Sequence, residues 1–204
     1  MASRRDAELA GTKAPIADMR PTQLTLGLSE VVERAAKIAA MTPADREAHL
    51  ERKPVPHVLG PGKKIYIVDH HHLARALWSL KIPEAVLGDR VADWSSLEPK
   101  AFWRMMESKG YCWPIDADGN RRPYAAIPAS IGDLTDNVWR TLARRVRGKA
   151  FEDLDTPFQE FMWGDYFRTF MTRRLIESEF ELAVELATKL ARLSEAQDLP
   201  GFRG

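Results

Sequence analysis

Apolar residues recur at helical spacing near the start of the chain. Val31, Val32, Ala35, Ile38 and Ala39 share one face of SEVVERAAKIAAM, which predicts a helix over 29–41 with Ser29 as its N-cap. Thr42-Pro43 reads as the cap and first-turn proline of a second short helix ending near Glu51. The pattern then changes. Val55-Pro56-His57-Val58-Leu59 and Ile65-Tyr66-Ile67-Val68 are strand-like runs joined by Gly60-Pro61-Gly62-Lys63-Lys64, which predicts a hairpin. Helical spacing returns at Leu73, Ala76, Leu77 and Leu80 and stops before Pro83, and 84–91 offers a further strand.

Later signals are almost purely helical: a helix over 99–106 closed by Gly110, another over 136–147 ending at Gly148, and an aromatic segment from Phe158 to Met171. Ile176, Phe180, Ala183, Val184, Ala187 and Leu190 form an amphipathic stripe in the last. The fold class implied is α+β, a small mixed-sheet core with surrounding helices and a C-terminal helical layer. Its expected domains are a loose tail over 1–17, the core over 18–125 and the helical extension over 126–204.

Composition narrows the functional classes. The chain has 204 residues, 45% of them hydrophobic and 29% charged, with a net charge of +1. Those values describe an ordinary globular protein, and with so little net charge any basic site has to be local. The single cysteine, Cys112, excludes an internal disulfide and fits a reducing compartment, so the cytoplasm is the expected location. No run approaches the roughly 18 apolar residues of a membrane span.

The junction Asp69-His70-His71-His72 carries the strongest chemical signal. A strand that delivers polar residues to the unpaired N–H groups of a new helix is a ready anion site. The histidines supply donors, Arg75 lies one turn along, and Asp69 can orient an imidazole or accept a proton. Equally, Asp69 can simply cap the helix over satisfied, buried histidines. Three consecutive histidines point in different directions, so no metal site is assigned. Asp116-Ala117-Asp118-Gly119-Asn120 opens like a calcium loop but has Ile127 where the closing glutamate belongs, and reads as a turn. Arg140, Arg144 and Arg147 form a basic stripe at helical spacing, able to meet phosphates or simply face solvent. Cys112, without a basic neighbour in sequence, reads as a packed thiol.

Asp69-His70-His71-His72-Leu73-Ala74-Arg75-Ala76-Leu77 resembles the D-G/H-H-H-R-x-x-A box of the ParB/sulfiredoxin superfamily, and more closely its ParB-like nuclease branch. Met19-Arg20-Pro21-Thr22-Gln23 with Gly27 is similar to the branch's opening segment. Val55-Pro56, Leu59-Gly60-Pro61-Gly62 and Tyr66 are similar to the strand before the box. Phe102-Trp103, Asp116 to Gly119, Ile127-Pro128 and Pro157 to Phe161 with Trp163, Asp165 and Arg168 continue the likeness, which spans about 18–174. The chain departs from the branch in carrying Asp136-Asn137 for a usual Asp-Asp, and His70 where many relatives have Gly. It also lacks a sulfiredoxin-type Gly-Cys-His-Arg.

The resemblance implies a phosphate-bearing ligand, a nucleotide or nucleic-acid phosphate, at the helix start and an enzyme of phosphoryl transfer or phosphodiester hydrolysis. His71, His72, Asp69 and Glu30 are then the candidate catalytic groups, and Arg20, Thr22, Gln23, His70, Arg75 and Arg140 the candidate phosphate ligands. The cofactor is not fixed by the residues; a nucleotide with Mg²⁺ or Mn²⁺ is the class such chemistry draws on. The alternative is a non-catalytic DNA-associated or nucleotide-sensing module. The partners expected are a phosphorylated small molecule or nucleic acid and no membrane, with the oligomeric state open.

Overall fold

The hairpin lies at the centre of a mixed five-stranded sheet. The structure, a computed structural model, describes residues 11–204. Strands β1 (Lys13–Pro15), β2 (Met19–Arg20) and β3 (Thr25–Leu26) precede helices α1 (Leu28–Ala39) and α2 (Pro43–Glu51). The hairpin β4 (Val55–Gly60) and β5 (Lys64–Ile67) leads into α3 (His71–Ser79), β6 (Glu84–Asp93) and α4 (Pro99–Ser108). Next come β7 (Thr135–Asp136), α5 (Val138–Val146), α6 (Gln159–Arg168), α7 (Arg173–Ser178) and α8 (Phe180–Leu190). The sheet order is β1-β6-β4-β5-β2, while β3 and β7 pair separately and parallel. The fold is α+β, as the sequence implied.

Alternation along β5 separates the two faces of the sheet. Ile65 and Ile67 join a core with α1 and α3, whereas Tyr66 packs with Phe102, Met106 and Cys112 on the other side. A third core belongs to α5 through α8, where Trp163 is fully buried and stacks on Phe151 at 4.2 Å.

Three expectations are corrected. Residues 1–10 of the expected tail lie outside the described residues, but Lys13–Pro15 pairs antiparallel with β6 and is part of the sheet. The boundary at 125 is too early: Ile131 and Leu134 belong to the sheet-side core, and β7 pairs with β3 before the helical layer begins at α5. Finally, Ser29 does not cap α1. The helix starts at Leu28, whose N–H donates to Asp136 Oδ1 at 2.8 Å, so the cap comes from a residue distant in sequence. Thr42, by contrast, caps α2 as expected, accepting from the Asp45 N–H at 3.2 Å.

Candidate functional site

The α3 start is built around one left-handed residue. His70 has φ 62° and ψ 23°, the left-handed conformation that glycine adopts freely. Asp69 holds the turn, its Oδ1 accepting from the His70 N–H at 2.5 Å, and is otherwise exposed. His71 is buried; its Nε2 accepts from the Thr22 N–H at 3.2 Å, while Thr22 Oγ1 donates to the Ile67 carbonyl at 2.9 Å. His72 Nε2 accepts from the Gly27 N–H at 3.2 Å.

This network makes both imidazoles neutral and leaves each with only Nδ1–H to donate. Burial, the largest cause, pushes the pKa of His71 down to about 4, with His70 and Arg140 adding to the fall and Asp69 opposing it. Burial, helped by Arg140 and His71, likewise holds His72 well below the usual range. The two side chains pin the segment from Thr22 to Gly27 onto α3. Thr22 and Gln23, candidate phosphate ligands in the sequence, are buried, and Gln23 Nε2 donates to the Thr25 carbonyl at 2.7 Å. Arg75 turns along α3, donating to Ser79 Oγ at 2.7 Å and lying 4.6 Å from the centre of the Trp78 ring. Arg20 sits on β2 in register with Tyr66 of β5. The structure therefore unites His71, His72, Thr22 and Gly27, but leaves Arg75 and Asp69 outside that cluster.

His72 reaches, through Gly27, a second and more highly charged cluster. Glu30 at the start of α1 accepts from Arg140 Nη1 and lies 3.7 Å from Arg144 Nε. Arg140 Nη2 is 3.7 Å from Glu160, which also pairs with Arg147. A side chain at position 27 would fill this space, because its Cβ would fall 2.6 Å from Thr141 Oγ1 and 2.9 Å from Glu30 Oε1. Burial raises the pKa of Glu30, outweighing the opposing pull of Arg140 and Arg144. Asn137 caps α5, its Oδ1 accepting from the Arg140 N–H at 3.0 Å. With Asp136 capping α1, both residues of the Asp136-Asn137 pair therefore serve helix starts.

Glu30 lines a groove of about 980 Å³ between α1 and α2 on one side and α5, α7 and α8 on the other. Arg34 and Lys37 of α1, Lys53 just beyond α2, Arg144 and Lys149 face it. Of these five cations only Arg144 stands out in the sequence, as part of the stripe with Arg140 and Arg147. The signal was present in the spacing: Glu30, Arg34 and Lys37 recur at one turn and two turns of α1, beside the buried stripe of Val31 and Ile38.

Elsewhere, Asp116 Oδ1 accepts from the Asp118 and Asn120 N–H groups at 3.0 and 2.8 Å, a self-satisfied turn. Cys112 is buried, and burial pushes its thiol up to about 12. Among the described residues no group of three or more His, Cys, Asp and Glu side chains is placed to hold a metal ion, and no helix is long and apolar enough to cross a membrane.

Residues 12–169 match the family model described as “Putative ParB-like nuclease”. The chain belongs to this ParB-like family. The crystal structure of protein Atu1540 from Agrobacterium tumefaciens is similar over nearly the whole fold, with a TM-score of 0.84 and 34% sequence identity, covering 95% of this chain and 97% of that one. No curated protein matches the chain. The family's description is consistent with a role connected with nucleic acid.

Proposed function

We propose that this ParB-like chain binds phosphate groups of nucleic acid in the groove and hydrolyses a phosphodiester there. The observation that carries the reading is the placement of Glu30, a carboxylate made more basic by burial, on the wall of a cation-lined groove. Phosphoryl chemistry asks a protein mainly to position groups and to neutralise developing charge. Arg144 and Arg34 flank Glu30 and serve as the clamps on the phosphate oxygens. Arg140, itself held by Glu160, fixes the carboxylate.

In the step proposed, a water oxygen forms a bond to phosphorus, the P–O ester bond breaks, and Glu30 accepts the water proton. That proton then passes to the leaving alkoxide oxygen, so atoms and charge balance. His71 and His72 keep their bonds to Thr22 and Gly27 and act as positioning residues for the segment that carries Glu30. His70, Arg75 and Arg20 remain candidates for outlying phosphate contacts around the α3 start, and Asp69 for a carboxylate that orients or accepts a proton there.

The second reading is a non-catalytic nucleic-acid-binding module. It is favoured by the ion pairs that Glu30 already makes, since a carboxylate can serve only to hold two arginines apart. Hydrolysis of single-stranded and duplex oligonucleotides, with and without Mg²⁺ or Mn²⁺, separates the two. Loss of a general base lowers rates by about 10²–10⁴-fold, so Glu30→Gln should abolish most turnover while binding persists. Binding without turnover by the unsubstituted protein would leave the module reading.

A further inference from the structure

Among the described residues, four cations that face the groove have no ion pair. Arg144, Arg145 and Arg147 are each matched by a carboxylate, but among the described residues Arg34, Lys37, Lys53 and Lys149 are not, and Arg34 Nε is buried without a hydrogen-bond partner. Glu33, Asp136 and Glu177 also face the groove, but Glu177 pairs with Arg173, Asp136 accepts from the Leu28 N–H, and cations outnumber carboxylates there, an excess that raises the local potential and draws in anions. One phosphate cannot neutralise cations that stand on both walls, with Lys37 and Lys53 on the α1–α2 side and Lys149 just beyond α5.

Apolar side chains lie between these walls. Val138 and Phe180 are partly exposed there, over the buried Ile38 and Ile176 of the sheet-side and helical cores. Basic walls around an apolar floor suit a strand whose bases turn inward while its phosphates meet cations on either side. A duplex has its bases already paired and stacked and offers such a floor nothing to cover.

We infer that the groove is a track for single-stranded nucleic acid several nucleotides long, with Lys37, Lys53 and Lys149 as backbone contacts and the apolar floor as the base-covering surface. The inference rests on the phosphodiester reading above and names the substrate class of the same site. Arg34 then marks the place where the track meets Glu30.

Fluorescence anisotropy with labelled oligothymidylates of increasing length and a duplex of matched length, in the presence of chelator, tests the track. Affinity should rise with length until the groove is filled, and single strands should bind at least about tenfold tighter than the duplex. Each phosphate contact on a single strand contributes about 0.7 to the slope of log K against log salt, so Lys37→Gln combined with Lys149→Gln should make that slope shallower by about 1.4. Both lysines are exposed, and Lys53→Gln alone should give about half that change. Unchanged salt slopes, or duplex binding as tight as single-strand binding, overturn the track even if hydrolysis is seen. Shallower slopes and single-strand preference in a protein that hydrolyses nothing support the track while removing the catalytic reading.

Discussion

The α3 junction and the groove contain the same kinds of side chain in opposite states. At the junction, His71 and His72 are neutral and each accepts a backbone N–H, and Asp69 accepts from the next residue. In the groove a partly buried carboxylate stands among cations, several of them unpaired. Satisfied polar groups hold a fold together, whereas an excess of one charge in a concave space attracts a ligand of the opposite sign. The most conspicuous motif in the sequence is therefore built as a clasp, and the surface it steadies is the one we propose to be reactive.

If the clasp is structural, acid should open it. His71 titrates at about 4 in the folded protein and near 6.5 when unfolded, so between these values the unfolded chain binds more protons and stability falls as the pH is lowered. The loss builds from about pH 6.5, levels off below about 4, and is on the order of 3 kcal/mol for this residue alone. Urea titrations across that range should show it, and a flat stability profile would assign the histidines to the ligand instead. At neutral pH, His71→Ala leaves the buried Thr22 amide without an acceptor and should cost about 1–3 kcal/mol. Thermal melts would check this, and an unchanged melting temperature would erase the contrast between the two regions.

Smaller effects sharpen it. Asn137→Ala removes the α5 cap and should cost about 1 kcal/mol, with some loss of groove geometry because Arg140 sits in the first turn of that helix. Lys37→Gln should change stability by no more than about 0.5 kcal/mol, because the side chain is exposed and has no ion pair to lose.

Much of the fold was legible because its signals are local. The hairpin, the Thr42-Pro43 start of α2 and the helices after Asp136 follow from short-range pattern and caps. The start of α1 was not, because its cap is Asp136, supplied through the pairing of β3 with β7. The first strand was hidden by its length of three residues and by a partner, β6, far along the chain. The site divides in the same way. Glu30 and Arg140 were named separately, but their pairing and the groove beside it depend on α1 packing against α5, which no spacing encodes.

The central claim is that phosphate binds at the groove and not at the box. Amide chemical shifts followed during titration with inorganic phosphate and then with a short oligothymidylate test it most directly. Shifts concentrated at Glu30, Arg34, Lys37, Arg144 and Lys149 are the predicted result. Shifts confined to Asp69 through His72, with the groove residues unmoved, would contradict the account.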